Sequence, residues 1–248
     1  MVGLILWTAP QKGRKRVTIR EQAFLHMRFL CAEVERSPHG AVLRRRVLSA
    51  GKKLRKQGVV RVVLPEDFSC GEQLETCGLR PVPTLGLRRA LAADWVQAGL
   101  AERGLPAAGA RVAVSAAGLT GEVVRTVTEL ALRHRYVLLD LSYGGEELCR
   151  QLRREYGVSL LLGPSRDQLA EAEALILFDA RSDLSVRNPV TLRLYDEEFP
   201  LPPLSLPPAL EERVPEGVNQ GQMLAALREA GAIQTGQISI GTGRAVGT

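Results

Sequence analysis

The chain is poor in the residues that mark metal sites, disulfide frameworks and membrane spans. Among its 248 residues are four cysteines and three histidines. Cys31, Cys70, Cys77 and Cys149 form no CxxC pair, and His26, His39 and His134 are scattered, so neither a zinc site nor a disulfide framework is signalled. A reducing cytoplasm is the compartment this cysteine usage implies. No run of about 18 uncharged apolar residues occurs, which is the length a membrane helix needs. VSLLLGP (158–164) ends in proline, and ALILFDA (174–180) is interrupted by Asp179. A soluble chain with no membrane partner is therefore expected. The N-terminal MVGLILWTAP is apolar, but Lys12, Arg14, Lys15 and Arg16 follow it instead of preceding it, and no small-residue cleavage site comes next. It reads as a buried first strand, not as a signal peptide.

Lysine is missing from most of the chain. All five lysines lie between Lys12 and Lys56, in the clusters QKGRKR and RRRVLSAGKKLRK. Residues 1–80 carry 16 Lys and Arg against 7 Asp and Glu, a balance of +9, and residues 81–248 carry 17 against 20, or −3. Basic character thus belongs to the N-terminal third. The 14 basic residues from Lys12 to Lys56 have the charge needed to neutralise nucleic-acid phosphates. Only Phe24 and Phe29 in that span offer rings for base stacking. A solvated helix face in an arginine-rich chain is the simpler reading, and nucleic acid is the second partner class, after a dinucleotide or small molecule.

What is present is apolar patterning enough for a sizeable core, with 45% hydrophobic residues. GLILWTA (3–9) has the length of a buried strand. Thr18 is a candidate N-cap for a helix over IREQAFLHMRFLCAEVER, in which Ile19, Ala23, Met27, Leu30 and Val34 recur every three or four residues. A second helix is predicted over Ala41 to Gln57, ended by Gly58, and VVRVVLP (59–65) reads as a strand. GLRPVPTL (78–85) resembles a linker, and LRRALAADWVQAGLAERG after it reads as a helix with Leu87, Leu91, Trp95 and Ala98 on one face. From Arg111 strand and helix alternate: RVAVSAA, GEVVRTVTELALRHR, YVLLDLS, GEELCRQLRREY, VSLLLGP, SRDQLAEA, ALILFDA. That alternation predicts a parallel sheet with crossover helices. Beyond Pro189, TLRLYDEE reads as a further strand, FPLPPLSLPP as extended chain, QGQMLAALREAG as a helix ended by Gly231, and IGTGRAVGT as a frayed tail.

The junction VAVSAAGLTGEVV places Ala116, Gly118 and Gly121 in an AxGxxG spacing between a strand and a helix, and Asp140 closes YVLLD 19 residues after Gly121. This stretch, about residues 105–182, resembles the NAD(P)-binding Rossmann superfamily, in which a GxGxxG turn and a later acid bind a dinucleotide. The first glycine of that fingerprint is alanine here. The resemblance implies Gly118 and Gly121 under a pyrophosphate and Asp140 at a ribose, with NAD as the cofactor because an acid suits a free ribose better than a phosphate. On the residues alone, Asp140 also fits a helix cap or a solvent-facing acid, and Glu122 either opposes a phosphate or complements the helix dipole.

Asp179 ends the strand of ALILFDA, where ligand crevices open in parallel sheets, and is the next polar site candidate; Arg181 is placed to pair with Asp179 or Asp183. Gly144 and Gly145 of SYGGEE lie at a strand-to-helix junction on the same edge. His26 reads as a core or boundary residue, and His134 as a helix-end residue facing the dipole; no catalytic residue is marked by motif. The expected architecture is α/β: a basic N-terminal α/β domain (1–80), a linker and helix (81–104), and a Rossmann-like domain with a proline-rich extension (105–248). An oxidoreductase with its substrate between the domains is the first reading, and a non-enzymatic interaction or regulatory protein the second.

Overall fold

A computed structural model of the chain describes residues 1–10 and 16–241, which fall into two compact units. The first comprises Met1–Thr84 and Leu204–Ser239, and the second Leu85–Pro203 with Ile240 and Gly241. The segment 204–239, read from sequence as an extension of the Rossmann-like part, makes its contacts with the first unit. The basic residues of positions 11–15 and the tail from 242 lie outside the described residues. Among the described residues no helix is long and apolar enough to cross a membrane.

The first unit is built on β1 (Val2–Thr8), β2 (Val17–Phe24), β3 (Met27–Glu35), α1 (Gly40–Lys56), β4 (Arg61–Val63), α2 (Gly71–Glu75) and β5 (Arg80–Pro81). Its sheet runs β2-β3-β1-β4-β5, parallel except for the β2–β3 hairpin. The helix expected over 19–36 is therefore two antiparallel strands. Phe29, Leu30, Cys31, Ala32, Glu33 and Val34 are all buried, which one helical face cannot achieve but a central strand beside β1 requires. Glu33 is tolerated there because Arg20 of β2 reaches it at 2.6 Å. The hairpin turns on Leu25, the one described non-glycine residue with positive φ (+53°), and exposes His26; His26 is thus a turn residue and not a core one. The predicted linker also changes role, since Arg80–Pro81 is an edge strand flanked by the buried Leu79 and Val82. Proline is accommodated at an edge because no further strand needs its N–H.

In the second unit come α3 (Leu85–Ala90), α4 (Ala92–Glu102), β6 (Arg111–Ala116), α5 (Gly121–Arg133), β7 (Tyr136–Leu141), α6 (Gly145–Tyr156), β8 (Leu161–Leu162), α7 (Arg166–Ala170), β9 (Ala174–Leu177) and β10 (Val190–Arg193). All five strands pair in parallel, in the order β10-β9-β6-β7-β8. Counted within the unit this is 3-2-1-4-5, the order of a Rossmann-like α/β sheet, with the reversal of direction between β6 and β9. Ala113, Leu138, Leu175 and Leu177 gather on one face with Leu169 and Ala172. Residues one position away, such as Val112, Val114 and Leu139, are equally buried, so both faces are covered, as continuous apolar strands require. Asn188 caps the carbonyls of Leu169 and Ala172, each at 2.8 Å, at the end of α7.

Two helices of the returning segment, α8 (Pro208–Glu211) and α9 (Gln220–Glu229), complete the first unit. α9 is held by the Gln222 side chain, which accepts from the Leu64 N–H at 2.8 Å, and by Arg61–Glu229 at 2.5 Å.

Helix α4 packs on β10 through Gly99, where an added Cβ would lie 2.9 Å from Val190 Cγ1. Gly99→Ala is expected to lower stability by about 1–3 kcal/mol through overpacking. The check is a fall in the urea midpoint without a change in slope.

Candidate functional site

Parallel strands deliver their carboxyl ends to one edge, and at the β6/β9 reversal this edge collects Ser115, the glycine turn, Asp140, Asp179 and Arg181. Ser115 and Asp140 are register partners on β6 and β7, and the Ser115 hydroxyl donates to Asp140 Oδ2 at 2.8 Å. Arg181 crosses from the end of β9 to the same oxygen at 2.5 Å and to Ser115 Oγ at 2.8 Å. Its other guanidinium nitrogens hold Asp183, Nε to Oδ1 at 2.7 Å and Nη2 to Oδ2 at 2.9 Å. Asp140 is therefore neither a helix cap nor an unaccompanied acid, and Arg181 pairs with Asp140 and Asp183 and not with Asp179. The forked contact to Arg181 draws the Asp183 carboxyl down to about 2, and the two carboxylates hold the Arg181 guanidinium well above its ordinary value.

Asp179 accepts from the Ala117 backbone N–H at 2.7 Å, so it braces the turn between β6 and α5. That turn contains no residue with positive φ between Ala116 and Gly121. Its backbone path is open to any L-residue, and a buried alanine at 116 closes the strand without strain. Gly118 is required for a different reason: an added Cβ would collide with the phenol of Tyr143. In the fingerprint this glycine keeps room for a pyrophosphate; here the space holds the chain's own aromatic side chain, which is otherwise 70% exposed. Gly121 opens α5 with nothing near its missing Cβ, and the Thr120 hydroxyl caps the helix by accepting from the Val123 N–H at 3.3 Å. Glu122 in the first turn is paired with Arg89 at 2.7 Å, which offsets its charge beside the helix N-terminus. Gly144 (φ +82°) packs against Leu119, and a Cβ on Gly145 would strike Leu162. The SYGGEE glycines therefore serve tight packing between turns.

Of the sequence candidates, Ala116, Gly118, Gly121, Asp140 and Asp179 all come to one edge. Ser115 and Tyr143 were missed. Ser115 is visible as a hydroxyl inside an apolar strand, two residues from the turn; nothing local marks Tyr143, whose contact forms only when two turns meet. His134 lies away from this edge at the end of α5, buried, with Nδ1 donating to the Ala107 carbonyl at 2.9 Å. This fixed local role replaces the dipole contact expected for it. Burial pushes the Cys31 thiol up to about 11 and raises those of Cys77 and Cys149, so none of these three is a ready thiolate.

No protein-family model and no curated protein sequence matches the chain. Among solved structures it overlaps shikimate 5-dehydrogenase from Listeria monocytogenes in complex with shikimate and NAD, at 10% identity over 60% of this chain and 58% of that one, with a TM-score of 0.28. L-tryptophan dehydrogenase from Nostoc punctiforme overlaps at 13% identity, 60% and 44% coverage and a TM-score of 0.28. A probable ornithine cyclodeaminase from Bordetella pertussis overlaps at 20% identity, 39% and 30% coverage and a TM-score of 0.27. The chain thus spans less than two thirds of each of these proteins, and overlaps this loose carry no argument about activity.

The Asp183 shift has a defined sign. Its folded value lies below the ordinary 3.8, so the Arg181 pairing contributes fully above that value and is lost as pH falls through about 2. In Arg181→Gln the Asp183 titration is expected to return toward 3.8, read from side-chain carboxyl chemical shifts. An unmoved midpoint would show that the fork is not formed.

Proposed function

We propose that the second unit binds a dinucleotide at the carboxyl edge of its sheet, with NAD preferred to NADP. The observation that carries the reading is the strand order, which puts a glycine turn and a helix N-terminus at the β6/β9 reversal with an acid closing the adjacent strand. The residues fit such a ligand in one conformation only. Tyr143 must leave Gly118 before a pyrophosphate can approach the turn, and its exposure makes that rotation inexpensive. With the phenol swung out, the N–H groups of Gly121 and Glu122 would face the diphosphate, and Asp140 would accept from a ribose hydroxyl while keeping Ser115 and Arg181.

The preference for NAD rests on charge. Arg181 already faces Asp140 and Asp183, and the exposed Arg166 lies 3.5 Å from Asp183. Arg181 and Arg166 are thus committed to carboxylates, which disfavours an additional ribose phosphate beside Asp140. Asp179 is occupied with the turn, so we assign it bracing and no proton transfer. The bound group would supply hydride chemistry; the residues described here account for binding and orientation.

Calorimetric titration of the whole chain with NAD, NADH, NADP and NADPH tests the reading. Saturable NAD binding is expected, tightened in Tyr143→Ala and weakened about tenfold or more in Asp140→Asn, the loss of one charge-assisted hydrogen bond. Absence of saturation up to about millimolar ligand, where binding would be worth only about 4 kcal/mol, in both the parent and Tyr143→Ala, would overturn it.

A further inference from the structure

The basic clusters play no part in the site above, and the structure gives one of them a form that the sequence does not. In α1, at about 100° per residue, Lys52, Arg45, Lys56, Ser49, Val42, Lys53 and Arg46 fall in that order on an arc of about 120°. The opposite side carries the buried Val47, Ala50 and Leu54. Between this arc and the start of β2 lies an open groove of about 460 Å³, lined by Arg16, Val42, Arg45, Arg46, Ser49 and Lys53 and by no carboxylate among the described residues. Arg46 is committed to the protein, holding the Glu35 carboxylate at 3.0 Å and the carbonyls of Glu35 and Arg36. Lys53 donates to the Val17 carbonyl at 3.1 Å. Arg16, Arg45, Lys52 and Lys56 are exposed and form no ion pair among the described residues.

We propose that this groove and the arc of α1 beside it bind the phosphate backbone of nucleic acid without reading its sequence. The twelve residues of helix from Arg45 to Lys56 span eleven rises, about 16 Å, the axial length of about five phosphates of one strand at roughly 3.4 Å each. A row of cations on that scale tracks a polymer of phosphates better than it surrounds a single small anion. The two described aromatics of the basic segment, Phe24 and Phe29, are fully buried against each other with centroids 5.4 Å apart. Neither is available to stack on a base, so contacts are confined to the backbone. The arc also presents no large apolar side chain for insertion into a bilayer, which favours nucleic acid over a lipid surface. This proposal is independent of the dinucleotide reading, since it concerns other residues in the first unit.

The test is fluorescence anisotropy of the full chain against a labelled duplex of roughly 20 base pairs, in two unrelated sequences, as salt is raised from about 50 mM. We expect equal affinity for both sequences and a slope of log K on log salt of about −3, corresponding to three or four neutralised phosphates. Arg45→Gln, Lys52→Gln and Lys56→Gln combined should flatten that slope toward zero and weaken binding more than tenfold at low salt. Arg150→Gln, Arg154→Gln and Arg187→Gln combined remove the same charge from exposed positions of the second unit and should stay within about twofold of the parent. All six positions are exposed, and retention of the parent circular dichroism spectrum and melting midpoint certifies the fold. No binding at low salt, equal weakening in both triple variants, or tighter groove-dependent binding to phosphatidylserine vesicles than to the duplex would each overturn the proposal; the parent's salt slope tests it without any variant.

Discussion

A strand with parallel neighbours on both sides cannot leave a face in water, and that constraint organises the second unit. Each of β6, β7 and β9 must be apolar in consecutive positions, so the polar groups it carries are pushed to its ends. Because the strands are parallel, all the carboxyl ends emerge on one edge. Ser115, Asp140, Asp179, Arg181 and Asp183 are the polar groups collected there, and their hydrogen bonds follow from being crowded together where the apolar layer stops. One guanidinium joins the ends of β7 and β9 across β6, and one carboxylate fixes the turn after β6. The edge is thereby tied together at its strand ends and at the turn after β6, on the side of an open α/β sheet where ligand crevices form.

The same constraint explains what could be read from the sequence. Strands buried on both faces announce themselves as short apolar runs, so β1, β6, β7 and β9 were legible, together with the helices between them. The fold class followed from their alternation. The β2–β3 hairpin was not legible, because Ile19, Ala23, Met27, Leu30 and Val34 happen to satisfy helical spacing. What decides against a helix is the unbroken burial from Phe29 to Val34, and it arises from pairing with β1, more than twenty residues earlier. Leu25 adds to the disguise, since a turn of this kind would ordinarily advertise itself with glycine or asparagine. At the site, the positions of Gly118, Asp140 and Asp179 were visible while their partners were not. Spacing places a residue at a strand end, but which side chain meets it there depends on how neighbouring turns pack.

Charge follows a similar division. In the second unit several cations are neutralised by acids: at the carboxyl ends of the strands Arg181 lies between two acids and Arg89 against Glu122, and at the opposite end Arg111 pairs with Glu171 and Glu173. On α1, Arg46 pairs with Glu35, but Arg45, Lys52 and Lys56 form no ion pair among the described residues. Lys53, Arg55 and Lys56 in the last turn complement the helix dipole, which accounts for cations at that end of α1 but not for Arg45 seven residues before Lys52, nor for Arg16 facing it across the groove. Mutual repulsion among unpaired cations costs stability, and a protein with 27 acidic residues to distribute had the means to relieve it.

The glycine turn shows how a fingerprint and its usual ligand can be separated. The three glycines of the Rossmann pattern answer three geometric demands: a tight turn, a close approach and close packing. In this chain the turn is made without left-handed backbone, so the first demand disappears and alanine stands at 116. The second demand persists at Gly118, and what approaches is the Tyr143 phenol. A glycine conserves space, and space is filled by whatever competes best for it. An exposed tyrosine whose phenol rests against one glycine is a weak competitor beside the diphosphate proposed above, which would meet the N–H groups of a thirteen-residue helix. On the dinucleotide reading proposed above, the phenol would serve as a cover over the turn, and the hydroxyl of Ser115 with the guanidinium of Arg181 would keep Asp140 in position while the cover is closed.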